Sequence, residues 1–242
     1  MNVTLIAHTQ LSDSFLASIL DADVFEDVLD ISDGQTVALT AIRTCYSPNR
    51  PSEIVALEGE RYFKREATDG QGGTEADRLI RHIVSSKHLS TLEHISFTFA
   101  IEGVSRALLA QLTRHRVGFS YSVQSQRYVR FGSGDKSGGF DYVTPQMSEE
   151  AERMYKGIMS TLQLAYDELR KLGLPAENAR MILPNAATTN LVMTANLRAL
   201  LDFYSKRRKG RGAQAEITEL AERLREAVVA AEPWTDAFFE QA

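Results

Sequence analysis

A seven-residue run from Ile95 to Ile101, ISFTFAI, places the strongest constraint on the fold. Apolar side chains (Ile95, Phe97, Phe99 and Ile101) alternate with small or polar ones. A period of two puts the two sets on opposite faces of a strand, and the apolar face must then be covered by a core. The run therefore predicts a half-buried strand.

Other strand patterns lie early and in the middle of the chain, whereas long helical patterns come late. NVTLIAH predicts an opening strand, and QRYVRF (126–131) predicts another. Thr74 with Asp77 resembles a capping box, and Gly173 before Pro175 ends a helix capped by Ser148. Helices are predicted near residues 12–20, 36–47, 74–87, 105–115, 148–172, 175–182, 194–206 and 213–231.

This order of elements favours an α+β fold, with an antiparallel sheet packed against helices and the long helices in the C-terminal half. No repeat or composition shift divides the chain, so a single domain over residues 1–242 is expected.

The composition limits the class of protein. No apolar run approaches the ~20 residues that a membrane span needs, and the N-terminal sequence lacks a signal-peptide pattern. We therefore expect a cytoplasmic protein with no membrane partner. The net charge of −5 argues against a general nucleic-acid coat protein, and no nucleic-acid partner is predicted.

Metal and thiol chemistry are not expected. Cys45 is the single cysteine, which excludes an intrachain disulfide and a multi-cysteine metal cage. His82, His88 and His94 recur every six residues, but that spacing crosses a predicted helix, a turn and a strand start. We predict no metal site.

The segment 114–131, RHRVGFSYSVQSQRYVRF, concentrates positive charge, hydroxyl groups and aromatic rings. No acidic residue occurs from Gly103 through Gly134, so no local carboxylate is available to pair with its arginines. Guanidinium groups match phosphate oxygens, and aromatic rings stack on heterocycles. The segment predicts a site for a phosphorylated ligand with a flat ring.

The same residues carry a family resemblance. RHR (114–116), a serine-rich run and then SQRY (125–128) resemble the signature of flavin-dependent thymidylate synthases. Here eight residues separate Arg116 from Ser125, one more than usual, and Ser122 and Val123 replace a common Asn-Glu pair. KHLSTLEHISFTF (87–99), GLPAENARMILP (173–184) and TANLRALLDFYSKRR (194–208) resemble further family segments, and the matches run in order from about Arg43 to Phe238.

The resemblance implies a methyltransferase that converts dUMP to dTMP. Its carbon donor would be 5,10-methylenetetrahydrofolate, its cofactor FAD and its reductant NADPH. It also implies a homotetramer with sites shared between subunits. The small-molecule partners would then be dUMP, NADPH and the folate.

The resemblance also assigns site residues. The predicted dUMP ligands are Gln111, Arg114, Val123, Gln124, Ser125, Gln126, Arg127, Arg180 and Arg207. The predicted FAD ligands are Ser90, Arg114, His115, Arg116, Val123, Asn196, Leu197, Arg198 and Asp202. His88 would lie near the flavin, where the folate stacks.

The activating arginine has two candidates. Counting eleven residues forward from Asn196 selects Arg207, whereas counting back from AQAE selects Arg208. Arg207 is preferred as the catalytic residue, because an insertion is easier in the glycine-containing loop than within a helix. Ser125 and Cys45 are not expected to act as nucleophiles, since no Ser-His-Asp arrangement supports the serine.

Two other functions remain open from the residues. One is a non-enzymatic binder of single-stranded RNA or nucleotides, with arginine and tyrosine on a strand platform. The other is a flavoprotein oxidoreductase that acts on a different substrate.

Overall fold

A computed structural model describes residues 1–20 and 31–241. Its sheet is antiparallel and has four strands: β1 (Asn2–His8), β2 (Ser96–Ser105), β3 (Phe119–Val123) and β4 (Thr188–Asn196). Their order across the sheet is β1-β2-β4-β3. The predicted opening strand and the predicted strand at ISFTFAI are both confirmed.

The alternation in β2 has the predicted consequence for burial. Phe97 and Phe99 are fully buried and stand opposite Ala195 and Met193 of β4. On the other face the hydroxyl oxygens of Thr98 and Thr194 lie 2.9 Å apart. Strand β4, TTNLVMTAN, alternates in the same way, so its buried residues extend the apolar face that β2 begins.

Two sequence predictions in this part of the sheet are wrong. QRYVRF is not a strand: the Val129 N–H donates to the Ser125 carbonyl at 2.9 Å, and the segment turns. The third strand is FSYSV (119–123), which pairs with β4. The predicted helix 194–206 begins too early, because Asn196 still belongs to β4 and caps the helix that follows.

The helices account for the rest of the regular structure. They are α1 (Asp13–Leu20), α2 (Asp33–Tyr46), α3 (Ile54–Phe63), α4 (Glu75–Ser85), α5 (Arg106–Leu112), α6 (Glu149–Lys171), α7 (Ala176–Ala179), α8 (Leu197–Arg207), α9 (Ala215–Ala231) and α10 (Asp236–Gln241). Short 3-10 helices span Leu89–His94, Arg180–Ile182 and Pro233–Thr235. Helix α3 was not predicted, whereas the Thr74–Asp77 capping box is confirmed.

The main core lies between the buried face of the sheet and helices α4, α5, α8 and α9; its members include Phe97, Phe99, Met193, Phe203 and Leu220. A second cluster joins α1, α2 and α3, and a third packs α6 against the 129–142 and 179–187 segments. The α+β prediction, with long helices late in the chain, is confirmed. No helix among the described residues is both long and apolar enough to cross a membrane.

Candidate functional site

Three segments that are distant in sequence meet where β4 passes into α8. The Leu197 N–H donates to the Ile95 carbonyl at 2.8 Å, and the Asn196 N–H donates to the Gly118 carbonyl at 3.2 Å. Gly118 has φ +75°, and a Cβ there would lie 2.7 Å from the Cβ of Ala199. Only glycine allows this close approach without strain. The turn after RHR is thereby joined to the start of α8.

A cleft of about 690 Å³ opens beside this junction and is called the α8 cleft. It is lined by Val84, Ser85, Lys87, Leu89, Glu93, Val117, Gly118, Asn196, Arg198, Ala199, Leu201, Asp202, Ser205 and Phe238. Three of the predicted flavin ligands (Asn196, Arg198 and Asp202) are therefore brought together. Its volume lies within the usual range for small-molecule sites.

Three polar side chains that line the α8 cleft (Asn196, Arg198 and Asp202) are partnered within the chain. Arg198 forms an ion pair with Glu93, and the Lys206 ammonium lies 2.7 Å from a carboxylate oxygen of Asp202. Asn196 Oδ1 accepts the Ala199 N–H at 2.9 Å, so this side chain caps α8. Leu197 is fully buried, and its side chain does not line the cleft.

The three residues of RHR differ in their exposure. His115 is half-buried, and its ring centroid lies 4.9 Å from that of Phe203. Arg114 and Arg116 are exposed, and neither forms an ion pair within the described ranges 1–20 and 31–241. The Tyr121 hydroxyl lies 3.1 Å from the Leu112 carbonyl and 2.8 Å from the His115 carbonyl, which fixes the turn.

His115 also makes a polar contact that orients its ring. The Arg207 Nε–H donates to His115 Nε2 at 3.2 Å. A nitrogen that accepts this bond carries no proton, so the neutral ring is protonated on Nδ1. Burial, followed by the charges of Arg207 and Lys206, lowers the pKa of His115 below 6.5. The imidazole therefore stays neutral at neutral pH.

The structure separates the two candidate arginines at the end of α8. Arg207 is the last helical residue and faces His115. Arg208 lies on the side of Tyr204, whose hydroxyl is 3.0 Å from a Glu222 carboxylate oxygen; the positive charge of Arg208 contributes to the environment of that hydroxyl. Of the two arginines, only Arg207 forms a side-chain hydrogen bond with the RHR segment in the described part of the chain.

A smaller cleft of about 260 Å³ shares lining residues with the α8 cleft and is called the His88 cleft. It is lined by Cys45, Tyr46, Ile83, Lys87, His88, Leu89, Ser90, Thr91 and Arg198. The Tyr46 hydroxyl lies 3.0 Å from His88 Nδ1 and fixes that ring. Ser90 and His88, both predicted site residues, thus share a cleft, and Lys87, Leu89 and Arg198 line both clefts.

Three guanidinium groups lie near one another and are called the arginine cluster (Arg106, Arg127 and Arg180). The Arg127 Nε–H donates to the Glu177 carboxylate at 2.7 Å, and the Arg180 Nε–H donates to the Glu177 carbonyl at 3.0 Å. Burial, and then the nearby charge of Arg180, lowers the pKa of Arg106. The cluster therefore holds an excess of positive charge.

Sequence reasoning did not single out Arg106. It lies at the start of α5, where its N–H donates to the Ala187 carbonyl at 3.1 Å, and this bond fixes α5 beside the segment that follows Arg180. The available signal was its place inside the acid-free stretch 103–134. Proximity to Arg180 depends on the fold and was not visible in the spacing.

The remaining predicted nucleotide residues lie at the end of β3 and on α5. Val123 ends β3 opposite Leu191. The Gln124 N–H donates to the Asn190 carbonyl at 2.8 Å, and Ser125 Oγ accepts the Arg127 N–H at 3.2 Å. Gln126 is half-buried in the turn that follows. Gln111 instead hydrogen-bonds with Gln214, just before α9.

Comparison with known proteins adds two kinds of similarity. The family model of the thymidylate synthase complementing protein matches residues 27–234. The flavin-dependent thymidylate synthase of Geobacter sulfurreducens is 42% identical over 178 residues, which cover 71% of this chain and 74% of that protein. That of Clostridium tetani is 33% identical over 216 residues, which cover 79% and 82%.

Solved structures show the same fold at lower identity. Thymidylate synthase X from Helicobacter pylori, with FAD and dUMP, has a TM-score of 0.66 and 23% identity, covering 100% of this chain and 98% of that one. A UMP/dUMP methylase from Streptomyces cacaoi, bound with 5-Br dUMP, has a TM-score of 0.69 and 21% identity, covering 99% and 94%. The family match and the two relatives together show that this chain belongs to the flavin-dependent thymidylate synthase family, a family of methyltransferase enzymes.

Proposed function

We propose that the protein converts dUMP to dTMP, with FAD as cofactor, 5,10-methylenetetrahydrofolate as carbon donor and NADPH as reductant. Family membership supports the reaction class. The observation that carries the proposal is the contact of Arg207 with His115, which joins the end of α8 to the RHR turn beside the α8 cleft.

The α8 cleft fits a flavin. It offers apolar contacts, three polar side chains fixed by partners (Asn196, Arg198 and Asp202), and a turn at Gly118 where a Cβ would collide with Asn196 and Ala199. We assign FAD to Ser90, His115, Arg116, Asn196, Arg198 and Asp202, with the backbone of Val123 and Leu197 and a contact from Arg114. Once reduced by NADPH, the bound flavin would supply the hydride that the reaction needs.

The arginine cluster suits the phosphate of dUMP. Arg127 pairs with the Glu177 carboxylate and Arg180 donates to the Glu177 carbonyl, and Arg106 adds a third guanidinium; neither Arg180 nor Arg106 forms an ion pair in the part of the chain that the structure describes. A phosphate dianion would offset this excess charge. We assign the phosphate and sugar to these arginines together with Gln111, Arg114, Gln124, Ser125 and Gln126.

Arg207 is the residue to which we assign activation of the substrate. The C5 and C6 atoms of uracil are not spontaneously reactive, so the ring must be polarised before it accepts hydride. A fixed guanidinium stabilises the negative charge that develops on the ring, and positioned charge is often the largest catalytic contribution. The hydrogen bond to neutral His115 holds Arg207 without neutralising it.

The His88 cleft is assigned to the folate, because it presents His88 and Tyr46 as stacking surfaces beside Arg198.

A homotetramer with shared sites is part of the proposal. Large exposed apolar side chains on α6 (Met154, Ile158 and Leu164) support association, since clustered exposed apolar surface often marks an interface. Light scattering on the purified protein measures the subunit number. The cytoplasmic location stays a prediction from the sequence.

The test is spectroscopic and uses the purified full-length protein reconstituted with FAD. We expect a visible flavin spectrum that NADPH bleaches under anaerobic conditions, and bleaching that accelerates when dUMP is added. A protein that cannot be loaded with FAD would contradict the proposal. Bleaching that is indifferent to dUMP would instead favour an oxidoreductase acting on another substrate.

A further inference from the structure

The turn that precedes His88 has an unusual residue at its centre. Helix α4 ends at Ser85, and the N–H groups of Lys87 and His88 donate to the carbonyls of Val84 and Ile83 at 3.0 and 3.1 Å. This bond pattern ends a helix through one residue in the left-handed conformation. Lys87 is that residue, with φ +62°.

The turn explains why the backbone is left-handed at this position, but it does not explain why the residue there is a lysine. Glycine adopts this conformation without steric cost, and a side chain is disfavoured there. Every other residue with a φ in this region is a glycine among residues 1–20 and 31–241. Backbone strain of this kind is often retained where the side chain has a task at a functional site.

The position of Lys87 indicates what that task is. Its side chain lines both the α8 cleft and the His88 cleft. The other cations nearby are engaged, since Arg198 pairs with Glu93 and Lys206 with Asp202. Lys87 is exposed and has no ion pair within the described part of the chain, so its charge is available to a ligand.

We propose that Lys87 binds an anionic group, a phosphate or a carboxylate, on a ligand held in these two clefts. This inference rests on the proposed function, which places FAD in one cleft and the folate in the other. The pyrophosphate of FAD and the glutamate carboxylates of the folate are the two sources of that anion. In either case the lysine determines affinity for the charged part of the ligand and not for its ring.

The experiment uses Lys87→Asn, because asparagine tolerates the left-handed conformation and removes the charge. Lys87→Arg keeps the charge. Lys64→Asn is the matched control: Lys64 is an exposed lysine that also caps a helix end, but it lines neither cleft. The apoproteins are titrated with FAD and with riboflavin, and the Michaelis constant is measured for the methylene donor and for its pteroate analogue, which lacks the glutamate.

Lys87→Asn should melt no lower than the wild type. It should bind FAD, or use the folate, about 3- to 10-fold more weakly, with no change for riboflavin or the pteroate analogue. The ligand whose binding or use is weakened by Lys87→Asn identifies the source of the anion. Lys87→Arg should retain most of the affinity, and added salt should reduce the difference between Lys87→Asn and wild type.

Equal affinity of wild type and Lys87→Asn for all four compounds would overturn the inference. The same fold-loss for charged and uncharged ligands would also overturn it, because that result assigns Lys87 a purely structural role. Failure of the wild type itself to bind FAD is a separate outcome, and it contradicts the proposed function.

Discussion

The α8 cleft and the arginine cluster differ in how their charged side chains are arranged around the place for a ligand. In the cleft, Arg198 and Lys206 already pair with carboxylates, and Gly118 and Asn196 fix the backbone. In the cluster, Arg127 pairs with the Glu177 carboxylate, Arg180 donates to the Glu177 carbonyl, and the charge of Arg180 acts on Arg106. Glu93, Arg198 and Asp202 of the cleft are therefore paired without a ligand and leave Lys87 for an anion, whereas the cluster holds like charges that a bound anion would relieve.

The difference predicts opposite responses to substitution. Changes in the cleft should alter stability and flavin binding, because its groups take part in the packing of the chain. Changes in the cluster should alter nucleotide binding and leave stability unchanged or raised, because removing one of several like charges reduces repulsion.

Arg207 should show the largest effect. We expect Arg207→Ala to reduce dTMP formation by about 10³-fold, the loss typical of removing a positioned charge-stabilising group. Steady-state turnover with saturating dUMP measures it, and binding of FAD should change far less. Arg208→Ala is the control and should keep most of the activity. If Arg208→Ala were the inactive variant, the assignment of the activating arginine would be reversed.

Gly118→Ala tests whether the cleft depends on close backbone packing. A side chain at φ +75°, with its Cβ 2.7 Å from that of Ala199, should cost about 2–4 kcal/mol of the free energy of unfolding. Chemical denaturation measures this loss, and FAD affinity should fall with it. Gly134→Ala, in open space, serves as the matched control. Unchanged stability of Gly118→Ala would show that the turn is not held as described.

Arg106→Met tests the cluster, because methionine keeps much of the apolar stem and removes the charge. The Michaelis constant for dUMP should rise about 10-fold, the loss of one charge-assisted hydrogen bond, whereas the melting temperature and the FAD dissociation constant should stay at wild-type values. A variant that melts lower with normal use of dUMP would make Arg106 a structural residue and remove it from the site.

His115 gives the stability of the protein a defined pH dependence. Because burial and neighbouring cations lower the pKa of His115 below 6.5 in the folded state, the unfolded chain binds more protons just below pH 6.5. This contribution to stability is present above pH 6.5 and is lost as the pH falls towards the lowered value. Melting temperatures from pH 8 to pH 5 should fall less steeply for His115→Asn than for wild type. Equal slopes would contradict the neutral, buried state.

Cys45→Ala should have the smallest effect. The thiol is exposed and lines the His88 cleft, where its hydrogen donates to the Ala41 carbonyl. Turnover within about 2-fold of wild type is expected, since an exposed substitution with no buried partner changes little. A cysteine variant without activity would point to thiol-dependent chemistry instead.

The fold was predictable where the pattern is local. ISFTFAI alternates strictly, and Thr74 with Asp77 forms its capping box within one helical turn, so both followed from a few neighbouring residues. QRYVRF has the composition of a strand but no partner to pair with, because FSYSV takes the edge of β4. Pairing between distant segments decided that outcome, and such pairing is not encoded in either segment alone.

The residues of the candidate site also fall into those that the sequence could predict and those that depend on the fold. The resemblance supplied most of its residues, and the structure brings Asn196, Arg198 and Asp202 into one cleft. Arg106 and Lys87 were missed as site residues. The first depends on a long-range contact with the segment after Arg180, and the second on a backbone conformation that the lysine itself does not favour.

The central claim is that the α8 cleft and the arginine cluster together support methyl transfer to dUMP. A single turnover tests it most directly: FAD-loaded protein is reduced, freed of excess reductant, and mixed with dUMP and methylenetetrahydrofolate labelled in its methylene carbon. The account predicts labelled dTMP, at no more than one per bound flavin, from the wild type and almost none from Arg207→Ala. Reduced, FAD-loaded wild-type protein that forms no labelled dTMP would contradict it.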